Sequence, residues 1–117
     1  MKFEIGETNI ICSDLVKSLN FYKDVLGFEI VEKEDSAVRI RKGGQVFLLL
    51  PVANPIQNRP EYSTAPEISF DLLVDDIKEA VKYFQSVSVN ILRPLSEDGS
   101  YLVIGDPDGL GIEVIQK

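Results

Sequence analysis

The sequence contains no histidine. Ser-His and Cys-His nucleophilic pairs are therefore impossible, and so is any metal site with imidazole ligands. Acid or base chemistry has to come from carboxylates, lysine, tyrosine or the single cysteine, Cys12. Cys12 has no partner within the chain for a disulfide, which fits a reducing, cytoplasmic setting. Basic residues are scarce as well: 12 Lys and Arg stand against 19 Asp and Glu, a net charge of −7. Nucleic acid and anionic membranes both select clustered cations, so neither is an expected partner, whereas a cationic ligand is compatible with this balance. No apolar run approaches the roughly 20 residues that cross a bilayer. The opening MKFEIGETN lacks the positive start and apolar core of a signal peptide. What is present is ordinary for a soluble globular protein: 117 residues, 44% hydrophobic and 26% charged. A chain of that length forms one compact folding unit and buries roughly 65% of its unfolded surface.

The chain states one pattern twice. DLVKSLNFYKDVLGF begins at Asp14, and DIKEAVKYFQSVSV begins 62 positions later at Asp76. Leu15 matches Ile77, Leu19 matches Val81, Phe21 and Tyr22 match Tyr83 and Phe84, and Val25 matches Val87. A repeat of this kind fixes the architecture before anything else does. The offset drifts to 63 and then 65 further on, which places the insertions in turns.

In order, residues 3–12 read as a strand by alternation. Asp14 caps a helix that Gly27 ends, with Leu15, Leu19, Tyr22 and Leu26 as its apolar stripe. The aromatic pair inside it reads as core packing. Strands are expected at 28–34, 37–42 and 45–51, with Gly43-Gly44 turning the last pair. Residues 53–66 carry Pro55, Pro60 and Pro66 and no periodicity. They read as a connector between modules; the alternative is a lid presenting Arg59 or Tyr62 to a ligand. A strand at 67–74 and a helix capped by Asp76, with Glu79 completing a capping box, open the second module. The stripe of this helix is Ile77, Val81, Phe84 and Val87. It lacks a terminating glycine, so its end is expected to fray or tighten into a 3₁₀ turn. Strands at 90–95, 100–105 and 110–116 complete the copy. The expected fold is α+β: two paired βαβββ modules, residues 1–52 and 67–117, joined by 53–66.

Two such sheets facing each other enclose a cavity suited to a small molecule. In the first strand Thr8, Ile10 and Cys12 share one face, and Ile5, Glu7, Asn9 and Ile11 the other. In the second module Phe70, Leu72 and Val74 oppose Ser69, Asp71 and Leu73. The apolar sets belong against the helices. Glu7, Asn9, Ser69 and Asp71 then point either into the cavity or simply to solvent. Glu113 is an acid inside an otherwise apolar last strand and needs a partner or water there. Its counterpart, 65 positions earlier, is Leu48. Arg39 and Arg41 alternate with Val38 and Ile40, either as a solvated strand face or as an anion site.

Asp14-Leu15, Phe21-Tyr22, Leu26-Gly27-Phe28, Asp106-Pro107-Asp108-Gly109 and Ile112-Glu113-Val114-Ile115 together resemble the vicinal oxygen chelate superfamily. That group holds glyoxalase I, bleomycin resistance proteins and extradiol dioxygenases. The resemblance covers the whole chain and implies the paired βαβββ fold, a homodimer, and four metal-ligand positions in enzymes like glyoxalase I. Carried over, those positions are Glu7, Leu48, Ser69 and Glu113. Leu48 has no donor atom and Ser69 is a poor ligand, while zinc takes three or four N, S or O ligands. Glu67 reaches the place of Ser69 only if the strand register slips. The metal-free, ligand-sequestering bleomycin resistance branch is the nearer likeness.

The reading that follows is a small-molecule-binding protein without a complete catalytic metal site. Glu7, Asn9, Ser69, Asp71 and Glu113 supply polar anchors, Leu48 and Leu50 supply an apolar wall, and the clustered acids favour a cationic ligand. The alternative is a divalent-metal-dependent lyase or dioxygenase of the same superfamily. It would use Glu7 and Glu113 with Mg²⁺ or Mn²⁺, or with Ni²⁺ or Zn²⁺. A third reading is a silent module that acts through dimerisation.

Overall fold

The protein is described by a computed structural model over residues 1–117. It divides into two compact units, Met1–Pro55 and Ile56–Lys117. The first runs β1 (Thr8–Ile11), α1 (Leu15–Leu19, continued by a π-helical stretch at Asn20–Val25), β2 (Glu29–Glu34), β3 (Ala37–Lys42) and β4 (Gln45–Leu50). The second runs β5 (Asp71–Val74), α2 (Ile77–Ser86), β6 (Asn90–Arg93), β7 (Tyr101–Gly105) and β8 (Gly111–Gln116). Each unit holds a four-stranded sheet, ordered β1-β4-β3-β2 in one and β5-β8-β7-β6 in the other. In each, the first strand lies parallel to the last and the remaining pairs are antiparallel. The α+β fold with two βαβββ modules is therefore as the repeat predicts. No helix is long and apolar enough to cross a membrane.

Alternation decides which sheet face meets the helix. In the first unit Ile10, Cys12, Val38, Ile40, Phe47 and Leu49 are buried together with Phe21, Tyr22 and Phe28 of the helix and its exit. The rings form a chain of contacts, with centroids 5.0 Å apart for Phe21–Tyr22, 5.5 Å for Tyr22–Phe28 and 6.0 Å for Phe28–Phe47. This is core packing, worth about 0.5–1.5 kcal/mol per pair beyond burial. The second unit buries Ile77 and Phe84 of α2 and Leu102, Ile104, Ile112 and Val114 of the sheet. The most buried helix positions differ in part from the expected stripes. In α1 they are Ser18, Phe21 and Tyr22, with Leu15, Leu19 and Leu26 half-buried, and in α2 Val87 is exposed.

The first strand of each unit is shorter than alternation suggests. Residues 3–7 and 67–70 lie outside the ladders, so Glu7 and Ser69 precede strands instead of sitting in them. Apolar alternation persists where no partner strand is present to hold it. The other strand ends agree with expectation to within a residue or two.

Both helices start on an aspartate. The Asp14 carboxylate accepts the Lys17 N–H at 3.1 Å, and Asp76 accepts those of Lys78 and Glu79 at 3.0 and 3.2 Å. The capping box is only half made, because the Glu79 carboxylate turns to Lys82 at 3.6 Å. At the other ends one expectation needs correcting. Ser88 takes the left-handed conformation, φ +57°, that Gly27 takes at φ +79°, and its N–H reaches Gln85 O at 3.3 Å, an i→i−3 bond of the 3₁₀ kind expected at that end. The span from Asp14 to Gly27, however, is one residue longer than that from Asp76 to Ser88. The π-helical stretch absorbs the extra residue. Leu26 N–H donates to Phe21 O (3.0 Å), and Phe28 N–H reaches back to Tyr22 O (2.9 Å) where Val89 N–H reaches Phe84 O (3.0 Å). An insertion inside a helix is accommodated as a π-bulge, so not every insertion fell in a turn. Downstream, matching bulges at Ile30/Glu32 and Ile91/Arg93 relate β2 to β6 by 61 positions. Arg39 opposite Leu48 and Val103 opposite Glu113 relate β3 to β7 by 64 and β4 to β8 by 65.

Candidate functional site

On the face away from each helix the registers bring one residue per strand into a row. In the first unit the row is Asn9 (β1), Leu48 (β4), Arg39 (β3) and Glu32 (β2). In the second it is Asp71 (β5), Glu113 (β8), Val103 (β7) and Arg93 (β6). Glu7 and Ser69 lie two residues before Asn9 and Asp71.

In the first unit Arg39 governs the row. Its guanidinium is bonded to Glu7, to Glu32 at 2.7 Å and to Glu34 at 3.3 Å. The hydrogen bond to Glu7, opposed in part by desolvation, and the surrounding carboxylates hold Arg39 above its ordinary pKa. Arg41 pairs with Glu29 at 3.0 Å. Neither arginine is left for an anion: three carboxylates around one guanidinium repel a fourth negative charge. Beside Arg39 opens a pocket of about 330 Å³ lined by Ile5, Gly6, Glu7, Thr8, Arg39, Gln45, Val46, Phe47 and Leu48. Of the expected residues it gathers Glu7 and Leu48. Asn9 and Leu50 share that sheet face but lie outside the pocket lining.

In the second unit Glu113 has the partner that its position demands. Tyr62 O–H donates to Glu113 Oε1 at 3.0 Å. The ring of Tyr62 lies against Gly111, where a Cβ would overlap it. The Arg93 guanidinium sits 5.2 Å from the ring centroid and donates to Tyr62 O and Ser63 Oγ, both at 2.8 Å. Burial, the bond to Glu113, and the charges of Glu113, Asp71 and Glu67 all raise the Tyr62 pKa. Arg59 anchors the same segment, donating to Glu67 at 2.7 Å and to Asp108 O at 3.3 Å. Residues 56–66 thus belong to the second unit and lie on its sheet, more than the connector that their composition suggests. Ser69 Oγ donates to Gly111 O, so its hydroxyl is engaged on backbone. Asp71 is exposed beside Glu113 in the ladder.

Three of the family's four ligand positions carry an oxygen donor, and each donor is engaged within the chain. Leu48 has no donor, the Ser69 hydroxyl is spent on a carbonyl, Glu7 is paired with Arg39, and Glu113 accepts from Tyr62. No group of three or more acidic or cysteine side chains is arranged to hold an ion. Glu67, the substitute that a slipped register would supply, is tied to Arg59.

Sequence reasoning named Tyr62 only as one of two lid residues and missed Arg93 and Gly111. A lone glycine inside a strand signals close approach by something else, and Gly111 in the apolar β8 carried that signal. The composition of Asp106-Pro107-Asp108-Gly109 reads as a turn, and the buried role of Asp106 within it is what the sequence does not show. Asp106 is buried, and its carboxylate accepts the N–H of Asp108 and of Leu110, each at 2.9 Å, so the Asp-Pro-Asp-Gly stretch is a turn clamped by its first residue.

Comparison with known proteins agrees with the fold. A model of the Glyoxalase/Bleomycin resistance protein/Dioxygenase superfamily matches residues 4–114. The chain is 31% identical over 114 residues to catechol-2,3-dioxygenase of Bacillus subtilis (strain 168), covering 94% of this chain but only 40% of that protein. It is 30% identical over 117 residues to metallothiol transferase FosB of Staphylococcus epidermidis, covering 95% of this chain and 82% of the relative. Among solved structures, glyoxalase I of Leishmania major superposes with a TM-score of 0.75 at 24% identity, over 98% of this chain and 87% of the other. TnmS3, an antibiotic binding protein from Streptomyces sp. CB03234, does so with a TM-score of 0.68 at 18% identity, over 98% of each chain. With the repeated βαβββ unit, the register of its strands and a match across nearly its whole length, the chain belongs to the Glyoxalase/Bleomycin resistance protein/Dioxygenase superfamily.

Proposed function

We propose that this chain is a small-molecule-binding protein that works without a complete metal centre and takes an organic cation on the carboxylate-bearing faces of its sheets. What supports this most directly is the state of the four ligand positions: one aliphatic, one hydroxyl bonded to backbone, and two carboxylates already partnered. Charge points the same way. Glu7, Glu32 and Glu34 outnumber the one guanidinium they surround, and Asp71 and Glu113 stand side by side in the ladder. The pocket beside Arg39 adds an apolar wall of Ile5, Val46 and Leu48, and its 330 Å³ lies within the usual range for small ligands. The working form is a homodimer in the cytoplasm, in line with the family and with the single, buried Cys12.

Thermal unfolding tests the reading. Mg²⁺, Mn²⁺, Ni²⁺ and Zn²⁺ should leave Tm where EDTA leaves it. Benzyltrimethylammonium, an aromatic quaternary cation, should raise it, by an amount that Glu7→Gln reduces. A ligand at 100 times its Kd stabilises by about 2.7 kcal/mol, well within detection. A rise with Mn²⁺, Ni²⁺ or Zn²⁺ that disappears in Glu7→Gln or Glu113→Gln overturns the proposal. It would favour the second reading, a divalent-metal-dependent lyase or dioxygenase using those two carboxylates. That reading draws its support from the relatives named as a dioxygenase and as metallothiol transferases.

A further inference from the structure

The sheet face around Glu113 is already filled. We infer that this face is an aryl-binding site and that its occupant is the chain's own Tyr62, carried there by residues 56–66 as a built-in plug.

Each side of the ring meets a group suited to it. At its far end the hydroxyl donates to Glu113 Oε1 at 3.0 Å. Beneath it lies Gly111, where a Cβ would overlap the ring. The backbone of Gly111 is not in the left-handed region, so the turn chemistry of the chain does not demand glycine there. Its consequence is room for the ring. Over the ring stands the Arg93 guanidinium, 5.2 Å from the centroid and bonded to Tyr62 O and Ser63 Oγ. The segment is tethered by Arg59, whose Cδ approaches so near to Gly109 that a Cβ there would stand 2.8 Å away. Gly111, Arg93 and Glu113 therefore receive one loop, which Arg59 ties down from within. A mere connector needs none of them.

The first unit shows what the same face looks like without a plug. Val46 holds the position that Gly111 holds in β8, 65 places on, and it lines an open pocket. A ligand for Glu113 has to displace Tyr62 first, so its apparent affinity falls by the fraction of molecules in which the plug is out. One chain thus presents one open face and one that opens on demand.

The inference deepens the binding proposal and rests on it, yet its test does not involve metals or cations. The probe is p-cresol, the Tyr62 side chain as a free molecule. In Tyr62→Ala, p-cresol should raise Tm by several degrees at concentrations that leave the wild type unmoved. Adding Gly111→Ala should abolish that rise, because a methyl group then fills the place of the ring. If Tyr62→Ala folds, as judged by circular dichroism, and p-cresol stabilises it no more than the wild type, the plug is refuted. If that variant does not fold, Tyr62→Phe decides. Losing the bond to Glu113 should speed amide exchange at residues 61–64 several-fold while β7 keeps its protection, and unchanged exchange there overturns the inference. A metal-induced shift would sink the proposed function and leave this result standing.

Discussion

On the first sheet the outer row reads Asn9, Leu48, Arg39, Glu32; on the second, the corresponding positions read Asp71, Glu113, Val103, Arg93. No position keeps its residue. The helix-facing rows behave otherwise: Ile10 and Leu72, Val38 and Leu102, Ile40 and Ile104, Phe47 and Ile112, Leu49 and Val114 are apolar in both copies. The difference is one of cost. A polar group placed between sheet and helix loses several kcal/mol unless paired, whereas on the outer face water or a neighbour can satisfy it. Within the sheets the change of polarity is confined to the outer side, and it leaves one face open beside Arg39 and the other covered by Tyr62.

Exchanging residues between the units tests that comparison. The largest effect is expected from Gly111→Val, which gives the second unit the residue of the first. The added side chain overlaps the Tyr62 ring, so the loop must leave and Glu113 loses its donor. Overpacking and the lost bond to a charged group together predict a loss of about 3 kcal/mol or more in denaturant unfolding. Limited proteolysis should show new cleavage within 56–66. A variant that unfolds like the wild type and resists cleavage would mean that the ring does not need the glycine.

Next comes the helix. Deleting Asp24, an exposed residue inside the π-helical stretch, gives the first helix the length of the second. In an ordinary helix a deletion turns every later side chain through about 100° and destroys the packing. Here it should convert the bond from Leu26 to Phe21 into an α-helical one and keep Gly27 at the exit. The expected cost is that of a point substitution, about 0.5–3 kcal/mol, with the circular dichroism of the fold retained. Loss of folding would show that the bulge does more than absorb a residue.

Why the fold was legible and the site only half so follows from these elements. Repeat spacing, aspartate caps and alternation are local signals, and they suffice for two βαβββ units. The π-bulge escaped because the aromatic pairs align at 62 while the helix exits align at 61, a discrepancy that sequence absorbs silently. At the site, Glu113 announced its need for a partner, but the partner lies 51 residues away in a stretch without periodicity. The ion pairs of Arg39 likewise depend on register across three strands, and no single-strand pattern encodes them.

A smaller effect separates the two faces by pH. Burial and the carboxylates of Glu113, Asp71 and Glu67 raise the folded-state pKa of Tyr62, with Arg93 the cation beside it. A raised value means that the protonated phenol is favoured on folding. Its contribution is therefore complete below the usual phenol pKa, near 10, and is lost as pH rises through the higher folded value. The stability difference between the wild type and Tyr62→Phe should stay constant from neutral pH to about 9 and shrink above about 10. No shrinkage would place the phenol in water.

The smallest expected change is a gain. Ser18 is fully buried on the first helix, and its hydroxyl has no hydrogen-bond partner. The second helix carries Ala80 at that position, 62 places on. A buried unsatisfied hydroxyl costs about 1–3 kcal/mol, and a small side chain such as serine falls at the low end. Ser18→Ala removes the penalty and leaves almost no void, so thermal or denaturant unfolding should show stabilisation by about 1 kcal/mol. The reverse exchange is not symmetric. Ala80 is only half-buried, so in Ala80→Ser the hydroxyl keeps access to water and stability should move by no more than about 0.5 kcal/mol. Equal and opposite shifts would mean that the two helices bury this position alike; a loss on Ser18→Ala would mean that the hydroxyl is bonded after all.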